Sequence, residues 1–416
     1  MKWILDMASR NLRRNRRRTV LAAVSIALSV MLMTFMSGYT NGILINMVKN
    51  ITKNETGHVR ITTKGFEERS RFMPVDEYIA DPAEVMAAIK GFPELKDMVT
   101  IVTARTLFGT LLSNGPSTKA AFGFAGDAET EKELLGLNRS VVEGAYIAGR
   151  GETIIGKKLA SDLGLKVGDM LKVVTQGADH GLHLKKFRVA GLFFTNLNQL
   201  DGSAFQIPID DAKDLLRTDN GVQQIIIMLK DYRDAEKAAA LARKAVAGIT
   251  GGGALSVRPW SEIGEYPKLV KMMESIYGNI YVVIAFLGAF IISNILMMVV
   301  LERKKEIGIL KSMGLKRREV LALFIVEGAA MGAIGSGIGA VLGMIINAIF
   351  SVYGMDFSSA FSGMTMPIDP VLHTVFDPLA GVQMFLLGIL VSIAVSILPS
   401  RRAATMNAVD AIKSVA

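Results

Sequence analysis

The sequence is 416 residues long and half hydrophobic, with a mean hydropathy of +0.37. These values exclude an ordinary soluble protein and also a chain that lies wholly in lipid, so the composition favours a protein with membrane and water-exposed parts. The chain has no cysteine, which excludes disulfide bonds and thiolate metal sites, and its net charge of +9 raises the question of nucleic-acid binding.

The basic segment 1–18 is predicted to form an amphipathic helix on the cytoplasmic side of a membrane. It resembles the charged region of a signal peptide, but the apolar stretch that follows is too long for one and has no small-residue cleavage site. We therefore expect the segment to be retained and the next stretch to anchor the chain in the membrane.

Four segments are long and apolar enough to be transmembrane helices. They are 19–48, 275–301, 320–352 and 378–400. The first is uncharged over its whole length and would form a helix roughly 45 Å long, which exceeds a hydrocarbon thickness of about 30 Å. We therefore expect it to project beyond the membrane.

The third span differs from the others in its small residues and its single charge. Its glycines recur at spacings of three and four residues, which lets helices approach closely in lipid, although glycine is also common in membrane helices generally. They are Gly328, Gly332, Gly335, Gly339 and Gly343. Glu327 is costly in lipid and is expected to be buried against a partner or to lie near the interface.

Lysine and arginine in the short flanking segments predict the orientation of the spans. Basic residues precede the first span, fill the segment 302–319 and occur in the tail 401–416, whereas the loop 353–377 has none. Both termini and 302–319 are therefore expected in the cytoplasm, and 49–271 and 353–377 on the opposite side of the membrane. Because this topology accounts for much of the positive charge, nucleic-acid binding loses most of its support.

The segment 49–271 has the pattern of a folded domain. Alternating and alanine-rich patterns predict strands at 58–62, 98–103, 171–174, 187–193 and 224–229 and helices at 82–90 and 234–246. Strand, helix and strand alternate at each end, whereas about 116–205 is richer in short strands. The expected architecture is a four-helix transmembrane domain plus an α+β extracytoplasmic domain, in which a βαβ porter-like subdomain carries an inserted β-rich subdomain.

One segment of this domain imitates a nucleotide-binding loop. Residues 151–158, GETIIGKK, nearly match G-x-x-x-x-G-K-[ST], but Lys158 stands where the magnesium-binding hydroxyl belongs and no buried apolar strand precedes Gly151. We interpret it as a strand followed by a helix. The four histidines are scattered, and His180 and His183 lie in a predicted loop without a visible third ligand, so neither a metal site nor a catalytic group is predicted.

The most informative stretch is the short charged segment 302–319. Ile307, Leu310 and Met313, together with Ile309, form an apolar face at helical spacing, and Gly314 is a stop signal. A basic patch for anionic lipid remains an alternative. Because a solvated connector does not need an apolar face, we favour a docking helix for a cytoplasmic partner.

The segment Arg303–Gly314 resembles the signature of ABC permeases that have four membrane helices and a large extracytoplasmic domain. This is the lipoprotein-releasing, macrolide-export and cell-division group (LolC/LolE, MacB, FtsX). The ending PSRRAA at 399–404, followed by VDAIK at 409–413, is similar to the ending of that family. Residues 154–169 are similar to its external domain, and 56–61, TGHVRI, resemble the lipoprotein-releasing branch.

The resemblance implies the permease subunit of an ABC transporter, with both termini cytoplasmic, in the inner membrane of a Gram-negative-type bacterium. This subunit would not be an enzyme and would hold no cofactor, because a separate ATPase dimer with ATP and magnesium would supply the energy. ATP hydrolysis would drive extraction or export of lipoproteins, or of other periplasmic or outer-leaflet cargo, by mechanotransmission. The alternatives are a mechanotransmitting regulator of a periplasmic partner and a MacB-like efflux permease.

The same resemblance implies partners and contact residues. A second permease copy, identical or similar, would complete a dimer in membrane lipid, and no nucleic acid is involved. A periplasmic carrier is a further candidate, although the hairpin near 173–189 is shorter than the hook that recruits the carrier in the lipoprotein-releasing branch. The residues expected to couple to the ATPase are Glu302, Arg303, Lys305, Glu306, Ile307, Gly308, Leu310, Lys311, Met313 and Gly314.

A lipid-anchored cargo would contact flexible or aromatic side chains on the first two spans, because thioethers adapt to variable acyl chains. The candidates on the first span are Met31, Phe35, Met36 and Tyr39, and they are expected to face Phe290 and Met297 on the second. Ordinary helix packing explains the same residues equally well.

Overall fold

The computed structural model describes residues 2–14, 16–195, 198–357 and 371–407. The tail motif at 409–413, the part of the loop 353–377 between 358 and 370, and the first residue of the segment 1–18 lie outside the described residues. The chain divides into two compact units. The membrane unit comprises the described residues up to Ile45, Lys271–Asp356 and those from Val371 onward, and the head comprises Asn46–Val270 together with Phe357.

The described residues contain four helices of transmembrane length. In chain order, the helices are α1 (Lys2–Arg14), α2 (Arg16–Ile51), α3 (Lys64–Arg69), α4 (Pro82–Gly91), α5 (Pro93–Lys96), α6 (Ala128–Leu135), α7 (Leu137–Ser140), α8 (Lys157–Leu163), α9 (Asn198–Ser203), α10 (Ile209–Leu216), α11 (Ala235–Ala247), α12 (Tyr266–Glu302), α13 (Lys304–Ser312), α14 (Arg317–Tyr353) and α15 (Pro378–Thr405). A π-helical turn, Thr52–Thr56, continues α2. Because α2, α12, α14 and α15 are long and apolar enough to cross a membrane, the prediction of four transmembrane helices is confirmed.

Each predicted span lies inside one of these four helices, and the helices extend further. α2 has 36 residues, which corresponds to a length of roughly 54 Å. α12 begins at Tyr266, about two turns before the predicted start at 275. Charged residues at the ends of these helices lowered the apolar signal, although the backbone hydrogen bonds continue through them.

The strands of the head form a single sheet. They are β1 (Val59–Thr63), β2 (Val99–Ser113), β3 (Thr118–Gly126), β4 (Val141–Gly144), β5 (Glu152–Gly156), β6 (Met170–Gln176), β7 (Leu182–Phe193), β8 (Ala204–Pro208), β9 (Gln224–Leu229) and β10 (Leu255–Pro259). The order is β10-β1-β9-β2-β3-β8-β5-β7-β4, and β6 pairs with β2 and β7. In the membrane unit, β11 (Met355–Asp356) pairs with β12 (Val371–Leu372).

One half of the head sheet is a split βαβ fold. The order β10-β1-β9-β2 is antiparallel throughout, and α4 and α11 are its crossover helices, as in ferredoxin-like domains. On β9, Ile225 and Ile227 pack on the core beneath these helices. Ile226 and Met228 pack on the opposite face with Leu134 of α6. The central strand β9 is therefore buried on both faces, which explains its unbroken apolar run.

The other half, inserted between β2 and β9, has its own core. The core residues run from Phe108 to Leu216 and come mainly from β3, β5 to β8, α8 and α10. This insert was predicted at about 116–205. The second core extends further on both sides because β2 is one strand of 15 residues, which pairs first with β9 and then with β3, and because α10 closes the core after β8. The α+β domain with an inserted β-rich subdomain is confirmed.

His58 is a buried structural residue of the head. It is 9% exposed, and its Nδ1 accepts the backbone N–H of Leu229 at 2.9 Å. Burial lowers the pKa of His58 to about 4, against a smaller opposing effect of the Asp231 carboxylate. The folded head therefore holds a neutral imidazole at pH 7.

We predict that the head loses stability as the pH falls from about 6.5 towards 4. The unfolded chain binds a proton at His58 near its ordinary pKa of 6.5, whereas the folded head resists protonation down to about 4. The expected loss in the free energy of unfolding is about 2 kcal/mol at pH 5 relative to pH 7. Urea unfolding of the full chain in detergent, followed by tryptophan fluorescence at both pH values, measures it.

His58→Asn is the control for this prediction, since its amide keeps an acceptor and does not titrate. Its free energy of unfolding should fall by about 2 kcal/mol less than that of the wild type between pH 7 and pH 5. Equal pH dependence of the two proteins would show that His58 is not the group responsible.

Candidate functional site

The connection between α12 and α14 contains α13, with a turn on each side. Arg303, with φ −91° and ψ 13°, turns the chain from α12 into α13. Gly314 has a φ of +98°, and the N–H of Leu315 donates to the carbonyl oxygen of Leu310 at 3.1 Å. Because other residues are strained at that φ, Gly314 fixes the end of α13.

One face of α13 is attached to the three neighbouring spans. Ile307 is 2% exposed and packs in a cluster with Val300 of α12, Phe324 of α14 and Ala403 of α15. Gly308 is also buried. This face is part of the core of the membrane unit, so Ile307 and Gly308 act on a partner only through the position of α13.

The opposite face of α13 is exposed and carries Lys305, Ile309 and Met313, here called the docking surface. Ile309 is 46% and Met313 77% exposed. Ile307 and Met313 were predicted to share one apolar face, and this is wrong in the structure. Residues six apart lie about 120° apart around a helix, whereas residues four apart lie about 40° apart. Lys305, Ile309 and Met313 therefore share a face that Ile307 does not.

Lys311 is an anchor within the chain. Its Nζ donates to the carbonyl oxygen of Ala404 at 2.9 Å and also to that of Met406, at the end of α15. Burial, followed by the nearby Arg317 charge, lowers the pKa of Lys311. A cation that binds the last carbonyl groups of a helix stabilises its end. Lys311 therefore holds α13 to α15 and is not part of the docking surface.

Arg303 and Glu327 form a buried ion pair beneath α13. Nη1 of Arg303 lies 3.1 Å from Oε1 and 3.3 Å from Oε2 of Glu327, and the two side chains are 7% and 4% exposed. Asn11 of α1 donates from Nδ2 to Oε1 of Glu327 at 2.7 Å. The guanidinium also lies 5.7 Å from the ring centre of Phe324. These contacts supply the partner of Glu327 that the sequence analysis could not name.

Glu306 extends this cluster to the surface. Its Oε2 accepts from Nε of Arg303 at 3.0 Å, and its Oε1 pairs with Arg14 of α1. Burial alone would raise the pKa of Glu306, but the hydrogen bonds and charges of Arg303 and Arg14 outweigh it and hold the pKa below its ordinary value. Asn11 and Arg14 were missed in the sequence, although both lie on the helix predicted at 1–18. They connect α1 to α13.

The glycines of α14 lie where helices approach closely. A Cβ at Gly328 or Gly332 would lie 2.7 Å or 2.6 Å from the Cβ of Ser396 or Ser392 on α15. The other three face α2. Their Cβ atoms would lie within 2.7 Å of Ala23 O at Gly335, 2.4 Å of Ala27 O at Gly339 and 2.6 Å of Thr34 Cβ at Gly343. α14 therefore packs on two helices along one small-residue stripe.

Gly339→Ala is predicted to destabilise the membrane unit by about 1–3 kcal/mol, because α2 must move away from the new methyl group. The nearest atoms belong to the backbone of Ala27 and Met31, which cannot rotate aside. The midpoint of thermal unfolding in detergent measures the effect.

Gly337→Ala is the matched control in the same helix. Its Cβ would meet only a ring carbon of Phe385 at 3.7 Å, an ordinary contact, and alanine favours helix. Its midpoint should equal or exceed that of the wild type. A Gly339→Ala protein as stable as the Gly337→Ala protein would contradict close packing at this site.

The proposed cargo-contact residues do not form one surface. Phe35 stacks on Tyr39 at 6.2 Å and packs on Phe350 of α14 at 6.3 Å. The backbone of Met31 lies against Gly339 and Gly343 of α14. The expectation that Phe35 faces α12 is therefore wrong, since its ring packs on α14.

The antiparallel register of α2 and α12 separates the remaining candidates. Tyr281 donates to the carbonyl oxygen of Met36 at 3.2 Å. Met297 lies four turns further along α12, where its sulfur accepts from Nη1 of Arg402 at 3.6 Å. Phe290 is 58% exposed on α12. Met36 and Met297 therefore lie at different levels of the membrane unit.

The segment that imitates a nucleotide loop is occupied by the protein itself. β5 and α8 are the strand and helix expected there, and the N–H of Gly151 donates to Oδ2 of Asp211 at 2.7 Å. The Asp211 carboxylate therefore accepts from a backbone N–H that a bound phosphate would need as a donor.

The histidines of the predicted loop do not form a metal site. Nε2 of His183 contacts Asp179 at 2.9 Å, and no three metal-ligand side chains come together in the part of the chain that the structure describes.

Two family models match this chain. The model of the MacB-like periplasmic core domain matches residues 19–245, more than half of the chain, and that of the FtsX-like permease C-terminal region matches 279–408. An uncharacterised ABC transporter permease of Methanocaldococcus jannaschii is 25% identical over 281 residues, which cover 64% of this chain and 67% of that protein.

Two similar proteins carry the name of the lipoprotein-releasing system transmembrane protein LolC. The one from Neisseria meningitidis is 31% identical over 197 residues, 46% of each chain. The one from Xylella fastidiosa is 30% identical over 195 residues, 45% of this chain and 46% of the relative. The matched region spans about half the length of these relatives.

Solved structures are similar to this chain over part of its length. The extracellular domain of the ABC-type transporter YknZ from Gram-positive bacteria matches with a TM-score of 0.32 and 17% identity, over 48% of this chain and 98% of that domain. The periplasmic region of MacB from Actinobacillus actinomycetemcomitans matches with a TM-score of 0.36 and 12% identity, over 55% and 97%.

Proposed function

Because the chain belongs to the family of ABC transporter permeases that includes MacB, FtsX and LolC, we propose that it couples ATP hydrolysis by a separate ATPase to movement of its periplasmic head. Members of this family are permease subunits of the inner membrane that work with cytoplasmic ABC ATPases. ATP and magnesium would bind the ATPase, and this chain would supply the docking surface and the moving parts.

The observation that carries the proposal is the two-sided environment of α13. Its docking surface, Lys305, Ile309 and Met313, combines two exposed apolar side chains with a cation. Its other face is fixed by Ile307 and Lys311. A short helix that is held rigidly on one side and exposes apolar groups on the other is suited to bind a groove in a partner.

The anchoring contacts suggest how movement of α13 would reach the spans. The cluster around Ile307 includes residues of α12, α14 and α15, and the Arg303–Glu327 pair adds a second connection to α14. Packed interfaces of this kind shift as rigid bodies rather than deform. Closure of an ATPase dimer on α13 would therefore displace whole helices, without the need for a polar pore.

We further propose that this chain forms a dimer with a second permease copy. The dimer would release a lipid-anchored cargo from the outer leaflet. The LolC relatives support this choice over efflux. Exposed Phe290 on α12 remains a candidate contact for an acyl chain. Both termini and α13 would lie in the cytoplasm of a Gram-negative-type bacterium, as the distribution of lysine and arginine predicts.

Release of a bound lipoprotein tests the proposal. The chain is reconstituted with its ATPase in nanodiscs that contain a triacylated lipoprotein, and a soluble acceptor is added. We expect release on addition of ATP and none with a non-hydrolysable analogue. Absence of ATP-dependent release would rule out lipoprotein extraction.

A mechanotransmitting regulator is the second candidate function, since the same coupling would serve it. It predicts that a periplasmic enzyme co-purifies with the head and that ATP changes the activity of that enzyme, while no cargo leaves the membrane. That outcome would replace the transport proposal and leave the docking role of α13 intact.

A further inference from the structure

A buried arginine fastens the end of the first span to the head sheet. Arg105 of β2 is 0% exposed and forms a two-pronged ion pair with Glu131 of α6, at 2.9 Å from Nε to Oε1 and 2.7 Å from Nη2 to Oε2. Its Nη1 donates to the carbonyl oxygens of Lys53 and Asn54 at 2.9 Å and 3.0 Å. One guanidinium therefore joins β2, α6 and the π-helical turn that continues α2.

The carbonyl groups of this turn need an external donor. The last carbonyl groups of a helix have no partner within it, and the turn is partly buried, with Thr52 and Thr56 at 0% and 1% exposure and the three residues between them half-buried. A cation at this end also complements the helix dipole. Arg105 meets both needs at the point where α2 passes into the head.

The ion pair is built to hold Arg105 in this place. Gly126 is the cross-strand neighbour of Arg105, and a Cβ there would lie 2.3 Å from Oε1 of Glu131, so the sheet leaves room for the carboxylate. A buried ion pair adds little net stability compared with apolar residues of similar size. Folding stability alone therefore does not account for two charges at 0% exposure.

The backbone that connects α2 to β1 is short and irregular. It consists of a single π-helical turn and Gly57, which has a φ of +64°. Both features are local departures from regular helix, and such positions absorb changes in backbone angle. A side chain of the sheet that holds this turn therefore lets a displacement of α2 reach the sheet without relying on the backbone of the turn alone.

We propose that Arg105 is a positioning residue that carries movement of α2 into the head sheet. This inference rests on the proposed function, in which ATP hydrolysis moves the spans. Displacement of the Lys53 and Asn54 carbonyl groups moves the guanidinium, and β2 and α6 move with it. The head then follows the first span as one body.

The test uses a double variant that removes the charges and preserves the volume. Arg105→Met with Glu131→Leu replaces the pair by apolar side chains, which keeps the head folded. Arg60→Met with Glu67→Leu is the matched control. That pair is 9% and 10% exposed and joins β1 to α3. Its arginine hydrogen-bonds to Glu67, and Glu55 of the π-helical turn exerts only the smallest of the electrostatic effects on it.

Two measurements distinguish whether Arg105 holds the π-helical turn in place and whether it carries movement of α2 into the head. Because the chain has no cysteine, two cysteines can be introduced for spin labels at the exposed positions Lys244 in the head and Leu287 in α12. In nanodiscs with the ATPase, the two labels report the distance between the head and α12. Hydrogen exchange of the amides of 54–57, without the ATPase, reports how firmly the turn is held.

In the Arg105 double variant we expect ATP to change the label distance by less than half of the wild-type change, while ATP hydrolysis continues. Exchange at 54–57 should be on the order of tenfold faster, since two charge-assisted hydrogen bonds are lost. The control should match the wild type in both measurements.

A wild-type ATP response in the Arg105 double variant, or unchanged exchange at 54–57, would overturn the role of Arg105. A wild type that does not respond to ATP would overturn the proposed function, and the exchange result would still decide whether Arg105 fastens the turn.

Discussion

Replacement of both Ile309 and Met313 by glutamate is expected to abolish binding of the ATPase. The two side chains are the large apolar groups of the docking surface, at 46% and 77% exposure. Loss of two apolar side chains that the ATPase would bury costs about 3–6 kcal/mol, and the new charges must also be desolvated on binding. Affinity should therefore fall by at least a hundredfold. Co-purification of the tagged permease with its ATPase, and titration in nanodiscs, measure this loss.

The control for this experiment carries a charge change of the same sign nearby. Arg318→Glu alters an exposed residue in the first turn of α14, outside the docking surface, and should retain most of the affinity. Both variants should unfold at the wild-type temperature, because none of the three residues is buried. ATPase binding by the Ile309→Glu/Met313→Glu protein at wild-type affinity would show that the partner binds elsewhere.

Arg303→Met is expected to be the most destabilising of the single substitutions in the membrane unit. It leaves Glu327 buried at 4% side-chain exposure with only Asn11 as a partner. Loss of one member of a buried ion pair costs about 3–5 kcal/mol. The double variant Arg303→Met/Glu327→Leu should recover most of this loss, because it leaves no unpaired charge. Thermal unfolding in detergent, read by the monodisperse fraction on gel filtration, compares the variants.

Arg14→Met is the control for the buried pair. It removes the ion pair between Arg14 and Glu306, whose side chains are 59% and 43% exposed. Exposed pairs of this kind contribute less than about 1 kcal/mol, so its unfolding temperature should stay near that of the wild type. If Arg303→Met is as stable as Arg14→Met, or the double variant is no better than Arg303→Met, the cluster has a different role.

The membrane part was predicted well because it depends on local composition. Long uncharged runs identify spans whatever they pack against, and the glycines of α14 already had the spacing of a helix interface. The limits of the helices were less accurate. Residues 266–274 at the start of α12 include charges that lower the apolar signal, yet they continue the helix.

The arrangement of the head depends on pairing between distant segments, which composition does not record. Strand patterns gave the approximate positions of β7 and β9, but nothing local shows that β2 pairs with β9 at one end and with β3 at the other. The sheet is therefore continuous through both subdomains. The predicted insert was too short because its core begins inside β2 and ends after β8.

At the candidate site, too, the local sequence predicted the helix but not its contacts with distant segments. Helical spacing identified α13 as amphipathic, but it could not tell which apolar residue faces the chain itself, so Ile307 was grouped with Met313. The Asn11–Glu327 contact joins residues 316 positions apart. Met297 was paired with the wrong level of α2 because the register of two antiparallel helices is set by packing. Each miss concerns a contact between segments far apart in sequence.

A cytoplasmic ATPase can bind the docking surface only if that surface lies on the cytoplasmic side of the membrane. Ile309→Cys provides a single thiol in a chain without cysteine, to be labelled with a membrane-impermeant maleimide. We expect the thiol to be labelled in inside-out vesicles and not in intact spheroplasts, and to be protected from labelling when the ATPase is bound. Labelling from the periplasmic side, or equal labelling with and without bound ATPase, would contradict binding of a cytoplasmic ATPase to the docking surface.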